Sequence, residues 1–217
     1  MKTIISLALI GLVLIGCQSC FKKKVKGNGT IVEKVIPITD YTGIDLSGSA
    51  KLIYEQKSDT IPYLRIEVDE NIFPLIDIKV DNNQTLNIKY KKNIRPTTFN
   101  IYTNSKDLNS LKITGSGDVQ FKGMLRTDAL HIEISGSANI VSDSIICNIL
   151  DLEIAGKGDV NLKGIASTVK YEIAGKGDIN ALELVADAVK CCGKRRHICN
   201  SKQVAGHRHC RKRRYQI

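Results

Sequence analysis

Apolar and polar residues alternate in several short segments between residues 85 and 173 of this chain. Five segments show the pattern, at residues 85–90, 108–113, 130–134, 150–154 and 169–173. A period of two places successive side chains on opposite faces of a β-strand. The helix signal is low and tryptophan is absent, so the core must consist of Ile, Leu and Val, which suit pleated strands. We therefore predict an all-β protein.

One short phrase follows these strands at a nearly constant interval. It reads ITGSGDV at 113–119, ISGSANI at 134–140, IAGKGDV at 154–160 and IAGKGDI at 173–179. The first glycines of the four copies are 21, 20 and 19 residues apart, the length of one coil in a stacked β architecture. The spacing predicts a parallel β-helix-like solenoid of about 18–21 residues per coil. An earlier copy, LSGSAKL, carries Lys51 in place of the acidic residue.

The phrase is typical of a corner between two strands. Glycine permits a positive φ and a close approach of the coils, and the Asp or Asn after it can bond a nearby backbone amide. Stacked about 4.8 Å apart, the acidic positions form a ladder whose repulsion Lys157 and Lys176 are placed to offset. The predicted repeat-turn residues are Gly48, Gly115, Gly117, Asp118, Gly136, Asn139, Gly156, Gly158, Asp159, Gly175, Gly177 and Asp178.

A less regular stretch lies between the early copy and the regular repeats. It contains three prolines that break strands, Pro62, Pro74 and Pro96. We predict strands at 64–68, 76–80 and 86–90, with a hairpin turn at 81–84. Such a segment is suited to cap the first coil at the N-terminal end, where an open edge would invite aggregation.

The N-terminus has the pattern of a secretory signal peptide, with an apolar stretch at 4–15 that is short for a membrane span. Small residues before Cys17 resemble the lipobox of bacterial lipoproteins, which predicts signal peptide at 1–16 and lipidation of Cys17. Cys20 is a weaker candidate, and an ordinary signal peptide or simple apolar anchor is the alternative. A lipid tethers a domain without a spanning helix. Residues 17–28 are then a flexible stalk and 29–190 the folded domain.

The C-terminal residues 191–217 differ from the rest. They hold nine Lys or Arg, no acidic residue, four cysteines and three histidines, while the remainder of the chain balances 23 basic against 22 acidic residues. A basic tail can bind nucleic acid or an anionic membrane. A Cys/His metal site is another interpretation, but the zinc-module spacing of C-x2-C is absent.

A shifted reading frame explains the tail in more detail. Codons for residues 191–198 and 209–216 can be chosen so that the next frame reads VAGKGDI and IAGKGDI. The recovered glycines fall at positions 193 and 211, which continues the spacing with steps of 18 and 18. We predict that residues 191–217 are an out-of-frame product and not a nucleic-acid site; the nucleotide sequence of the gene tests this.

Candidate chemistry in the phrase is weak. A P-loop needs G-x-x-x-x-G-K-[ST] before a helix, whereas here strands lie on both sides and an aspartate follows. Calcium-binding β-rolls place more acidic oxygens on each turn. We interpret His131 as a half-exposed strand residue and Cys147 as a buried core thiol. The sequence predicts no enzyme, no cofactor and no metal site.

The order of motifs resembles the bacterial family called putative auto-transporter adhesin, head GIN domain, common among Bacteroidetes envelope proteins. The motifs that carry the resemblance are the lipobox, LSGSA at 46–50, IEVDENI at 66–72, LNI at 86–88, LKITGSGD at 111–118 and the later G-x-G-D repeats. The resemblance covers about residues 30–190 and implies a parallel β-helix-like solenoid on an envelope lipoprotein. It supplies no catalytic residue.

We expect a non-enzymatic envelope lipoprotein whose repeated faces act as an adhesin or bind a glycan or a protein. The alternative is a structural spacer or a periplasmic accessory subunit of an envelope assembly. A polysaccharide lyase is a third candidate, disfavoured because the carboxylates are spread one per coil. Attachment to the outer membrane is expected through the N-terminal lipid, with the periplasmic face preferred because residues 18–24, directly after Cys17, contain no acidic residue.

Overall fold

The computed structural model describes residues 24–193, 200–203 and 209–210, and the side chains of residues 24–190. The predicted signal peptide, Cys17 and most of the basic tail lie outside the described residues. Within the described part the chain forms β-strands and one 3-10 turn, Phe73–Leu75. The all-β prediction is confirmed.

Most strands belong to one curled sheet, and β1 and β8 form a separate parallel pair. In chain order the strands are β1 (Val25–Lys26), β2 (Ile31–Pro37), β3 (Gly43–Gly48), β4 (Lys51–Glu55), β5 (Tyr63–Asp69), β6 (Ile76–Val80), β7 (Thr85–Tyr90), β8 (Ile94–Arg95), β9 (Phe99–Thr103), β10 (Ser110–Gly115), β11 (Asp118–Arg126), β12 (Ala129–Gly136), β13 (Ile140–Gly156), β14 (Val160–Gly175), β15 (Ile179–Gly193), β16 (Asn200–Gln203) and β17 (His209–Cys210).

Two ladders of parallel strands carry the repeats. The first ladder contains the strands that end at the glycine phrase: β3, β10, β12 and the C-terminal parts of β13, β14 and β15. The second contains the strands that follow the phrase: β4, β11 and the N-terminal parts of β13, β14 and β15. A repeat unit is one strand of the first ladder, its glycine corner and the strand after it. Each unit pairs in register with the next.

The inward side chains of both ladders form one hydrophobic core. In the first ladder one row of apolar side chains is in register and at most 4% exposed: Leu46, Ile113, Ile134, Ile154 and Ile173. The matching row of the second ladder is Leu52, Val119, Ile140, Val160 and Ile179. Alternation in the sequence thus becomes one buried face and one solvent face on the strands of both ladders.

The second bend of each unit has no turn phrase. β13, β14 and β15 run through it for 17, 16 and 15 residues. The pairing register shifts there, between Val141 and Ile145 and between Asn161 and Lys163. A bulge bends a strand without ending its hydrogen bonding, so each bend leads directly into the next unit.

Residues 56–109 cover the N-terminal end of the stack. The predicted strands are present as β5, β6 and β7, and the predicted turn joins β6 to β7. β7 and β9 pair in parallel with β3 and β4, while β6, β5 and β2 complete this end in antiparallel pairs. The first repeat unit of the sequence therefore lies between β7 and β9 on one side and β10 and β11 on the other.

Asp69 fastens the N-terminal residues to this end. Its buried carboxylate accepts hydrogen bonds from the Gly29 amide at 2.8 Å and from the Thr97 amide and hydroxyl at 2.7 and 2.6 Å. Burial opposes ionisation, but these bonds together hold the pKa of Asp69 below its usual range. β1 also pairs with β8 at this end, and the Val25 amide donates to the Asn93 carbonyl at 2.9 Å, so the last residues of the predicted stalk lie against the body.

We expect Asp69→Asn to lower the free energy of unfolding by about 2 to 4 kcal/mol at pH 7, because its NH2 group would face hydrogen-bond donors. The folded pKa lies below the unfolded value near 3.9. The stabilisation by the carboxylate is therefore present above that value and is lost as the pH falls through the folded pKa. Urea unfolding across pH measures the difference, and a gap as large at about pH 2.5 as at pH 7 would contradict this account.

Candidate functional site

The first glycines of the repeat phrase stack directly on one another at one corner of the sheet. Gly115, Gly136, Gly156 and Gly175 follow Gly48 in register. The amide after each glycine donates to the carbonyl of the glycine one unit earlier, as from Ser137 to Gly115 at 2.7 Å and from Lys176 to Gly156 at 2.8 Å. A Cβ on Gly156 would lie 2.0 Å from the Gly136 carbonyl oxygen. The corner hydrogen bond therefore requires glycine.

Tyr90 occupies the place of a further glycine at the end of this row. A Cβ on Gly48 would lie 1.7 Å from its ring, and the Ser49 amide donates to the Tyr90 hydroxyl at 3.1 Å. Burial raises the pKa of Tyr90 to about 12. The aromatic ring thus closes the glycine row at the N-terminal end of the stack.

The second glycines of the phrase are buried just past the corner. A Cβ on Gly158 would lie 2.3 Å from the Ala138 carbonyl oxygen, and one on Gly177 would lie 2.4 Å from the Gly158 carbonyl oxygen. Gly117 has more room, with 2.9 Å to the Ala50 carbonyl oxygen. Ala50 and Ala138 occupy the same place in their own units, so the second position accommodates a methyl group in the first and third units.

The acidic position of the phrase forms an exposed row beside the corner. Asp118 lies opposite Lys51, and its Oδ1 accepts a hydrogen bond from the Asn139 side-chain amide at 3.0 Å. The Asn139 Oδ1 accepts from the Asp159 backbone amide at 3.2 Å. Asp178 continues the row, and its carbonyl accepts from the Val160 amide at 2.9 Å. Asn139 thus separates the first two carboxylates.

The expected ion pairs within the phrase do not form. Among the described side chains, neither Lys157 nor Lys176 lies within the 4.0 Å ion-pair distance of a carboxylate. Both side chains are exposed at the corner itself, two residues before the acidic position of the phrase. Lys51 lies opposite Asp118, and the neutral Asn139 separates Asp118 from Asp159, so these two residues limit repulsion in the first part of the row.

A second outward row runs parallel to the first and was missed by the sequence analysis. Tyr102, Ile53, Gln120, Val141, Asn161 and Asn180 are in register along it. The Asn180 side-chain amide donates to the Asn161 Oδ1 at 3.1 Å. The sequence did contain a signal for this row. The residue two places after each Asp or Asn of the phrase lies on the same face of the strand as that Asp or Asn. We call the two rows together the polar face.

A compact cluster ends the polar face at the N-terminal end of the stack. The Arg65 guanidinium lies 3.8 Å from the centre of the Tyr102 ring and pairs with Glu33 and Glu67 at 2.8 Å each. Glu67 also accepts from the Asn100 amide at 3.0 Å and from the Tyr102 hydroxyl at 3.2 Å. The Asn100 bond is the main cause that holds the pKa of Glu67 below its usual range. The groups of the cluster are fixed relative to one another.

The outer side of the first ladder is different, because its charges pair with one another. We call it the charged face. Lys112 pairs with Glu133 at 2.7 Å, which lowers the pKa of that carboxyl. Lys170 lies 3.3 Å from Asp151 and 3.4 Å from Glu153. This face presents a network of ion pairs to solvent.

The candidate catalytic and metal-binding residues do not form one cluster. His131 lies half-buried on the charged face, with Nδ1 3.6 Å from the Asp151 carboxylate. Cys147 is a buried free thiol, and burial raises its pKa to about 11. Over the described residues no group of three or more His, Cys, Asp or Glu side chains could hold a metal ion. None of the helical structure in that part of the chain is long and apolar enough to cross a membrane.

Gly156→Ala should lower the free energy of unfolding by at least about 3 kcal/mol, because the methyl group collides with the Gly136 carbonyl and the residue has a φ of 149°. Gly123→Ala is the matched control: its φ of 73° is also positive, but nothing lies within 4 Å of the added carbon. We expect a loss of about 1 to 2 kcal/mol there. Urea unfolding compares the two, and equal losses would show that the corner contact is unimportant.

Asn139→Asp should lower stability by about 1 to 2 kcal/mol at pH 7, because it places a third carboxylate beside Asp118 and Asp159 and removes an amide donor. The flanking charges raise the folded pKa of the introduced carboxyl, so the repulsive part of the loss disappears as the pH falls below about 3. Asn161→Asp is the control, since its neighbours in the row are Val141 and Asn180. Equal losses of stability for both substitutions at pH 7, measured by urea unfolding, would contradict the interaction of Asn139 with its two flanking carboxylates.

Comparison with known proteins places these features in a family. Residues 40–192 match the family described as putative auto-transporter adhesin, head GIN domain. A crystal structure named a putative adhesin from Bacteroides fragilis NCTC 9343 is similar at 28% identity, with a TM-score of 0.74 over 83% of this chain and 80% of that one. Among curated proteins no match was found.

Two further crystal structures resemble the chain over most of its length. A putative adhesin from Parabacteroides merdae ATCC 43184 is 27% identical, with a TM-score of 0.63 over 84% of this chain and 82% of that one. A protein named a putative lipid binding protein from Parabacteroides distasonis ATCC 8503 is 28% identical, with a TM-score of 0.65 over 78% and 80% of the two chains. The family match covers more than half of the sequence, and the chain therefore belongs to the family described as putative auto-transporter adhesin, head GIN domain.

Proposed function

We propose that this chain is a non-enzymatic binding module of the bacterial cell envelope whose polar face binds a polysaccharide. The observation that carries the proposal is the pair of outward rows, in which amides and carboxylates repeat at strand spacing on an exposed surface. Membership of an adhesin-like family and similarity to proteins named putative adhesins agree with a binding role.

The body of the domain is, in this proposal, a parallel β-helix-like solenoid. Its support is the register of the two ladders, in which every glycine corner lies on the corner of the preceding unit. A stack of this kind produces a straight face, because each unit repeats the position of the last. A long linear polymer can then contact several units at once, and modest affinity for each unit adds up through multivalency.

The chemistry of the polar face suits sugar hydroxyls. A hydroxyl both donates and accepts hydrogen bonds, and Gln120, Asn161 and Asn180 offer both functions while Asp159 and Asp178 accept. Val141, which is 43% exposed, adds an apolar contact between the amides. The charged face is less suited, since its cations and carboxylates already bond each other.

Attachment to the envelope completes the proposal. A lipid on Cys17 would hold the domain at the outer membrane without a spanning helix, on the periplasmic side as the sequence around Cys17 favours. The polar face would then meet envelope polysaccharide at high local concentration.

A structural spacer is the second candidate, and one observation favours it. The side chains of the polar face bond each other, as in the pairs Asn139 with Asp118 and Asn180 with Asn161. Such internal bonding stabilises a stack and leaves fewer groups for a ligand. The two candidates differ in whether substitution of this face removes binding.

We expect the full chain to bind at least one polysaccharide of a bacterial glycan panel, and Asn161→Ala with Asn180→Ala to weaken that binding about tenfold or more. Ser135→Ala with Glu172→Ala, two exposed or half-exposed positions on the charged face, is the matched control and should leave binding unchanged. Calorimetry or biolayer interferometry gives the affinities. A panel without any binder, or equal loss in both variants, would favour the spacer.

A further inference from the structure

An open groove of about 410 Å³ lies beside the first glycine corner and is lined by cationic side chains. Lys24, Lys51 and Arg95 contribute the charges, and Ser49 and Thr97 contribute hydroxyl groups. All three cationic residues are exposed. The acid in the lining is Asp118, whose Oδ1 accepts the bond from Asn139.

Further lysines extend this positive surface. Lys26 lies opposite Arg95 in the parallel pairing of β1 with β8. Lys91 and Lys92 are exposed in the loop before β8. Among side chains of residues 24–190, none of these six cations forms an ion pair, whereas Arg65, Lys112 and Lys170 each bond a carboxylate. We call the six the basic end: Lys24, Lys26, Lys51, Lys91, Lys92 and Arg95.

The N-terminal chain joins the body at this surface. The Val25 amide donates to the Asn93 carbonyl at 2.9 Å and the Gly27 amide to the Arg95 carbonyl at 3.0 Å. Asp69 fixes the following residues through the Gly29 amide. The seven peptide units from Cys17 to Lys24 span at most about 25 Å. A lipid on Cys17 therefore keeps the basic end within that distance of a bilayer.

We infer that the basic end docks on the anionic phospholipid headgroups of the bilayer that holds Cys17. The inference rests on the lipid anchor of the proposed function. Long exposed lysine and arginine side chains around an open groove fit a surface of many phosphates, and each basic residue at an anionic surface strengthens binding roughly fivefold at low salt. Docking holds the N-terminal end of the stack against the membrane and leaves the later repeat units, with most of the polar face, farther out.

Lysine acylation followed by mass spectrometry tests the docking on the full lipoprotein. The chain is reconstituted in phosphatidylcholine vesicles with and without about 30% phosphatidylglycerol. We expect Lys24, Lys26 and Lys51 to react at least about fivefold more slowly in the anionic vesicles, and about 0.5 M salt to remove the protection. Lys157 and Lys176, at the corners of later units, should react equally in both.

Matched variants show which charges matter. K24Q/K26Q/K51Q/R95Q should abolish the protection of Lys91 and Lys92 in anionic vesicles. The control K106Q/K122Q/K157Q/K176Q removes the same charge from exposed positions elsewhere and should retain it.

Equal lysine acylation rates in both vesicle types would overturn the inference, and so would an equal loss of Lys91 and Lys92 protection in the two variants. The same protection by inorganic phosphate in detergent would also overturn it, because it would indicate a site for free anions. The intact mass of the same samples, measured before the lysines are labelled, shows whether Cys17 carries its lipid. Failure of the lipid anchor is therefore read separately from failure of docking.

Discussion

The hydrogen bond between stacked glycine corners is the constraint on which the rest of this structure depends. Each corner amide donates to the carbonyl of the glycine one unit earlier, at 2.7 to 2.9 Å. The backbones approach so closely that a Cβ on Gly136, Gly156 or Gly175 would lie about 2 Å from that carbonyl. Because only glycine fits this close approach, the corners align glycine with glycine and hold both ladders in one register. A slip of one residue would also turn the apolar side chains of a strand away from the core. Local glycine chemistry thus fixes which residues of distant units meet.

That register determines both the core and the outer surface. Inward rows of Ile, Leu and Val are buried in one core, whereas the outward rows become either the charged face or the polar face. On the charged face, ladder neighbours such as Lys112 and Glu133 have opposite charge and pair. On the polar face, neighbours are amides and carboxylates that bond more sparsely. The difference in available hydrogen-bonding groups is the physical basis for the proposal that the polar face binds a ligand and the charged face stabilises the stack.

Features that depend on local sequence were predictable, and features that depend on distant contacts were not. The corner glycines, Asp118 and the strands of the N-terminal end follow from turn chemistry and period-two alternation. A cap on the first unit was expected from the irregular segment, but the parallel pairing of β7 with β3 and of β9 with β4 was not, because parallel pairing leaves no signal in the connecting residues. Asp69 and Tyr90 were also missed, since their partners Gly29 and Ser49 are 40 and 41 residues away in the chain. The bends within β13 and β14 arise from bulges, which have no sequence phrase here.

Hydrogen exchange of the corner amides is the most direct measurement of the central constraint. The amides of Ser137, Lys157 and Lys176 donate to glycine carbonyls at 2.7, 2.7 and 2.8 Å, although Lys157 and Lys176 have exposed side chains at the surface. If stacked corners fix the register, these amides exchange only when the stack opens, and their protection should equal that of the buried strand residues Ile134 and Ile154. Exchange as fast as that of unprotected peptide amides would contradict the account, because the units would then be held by their cores alone.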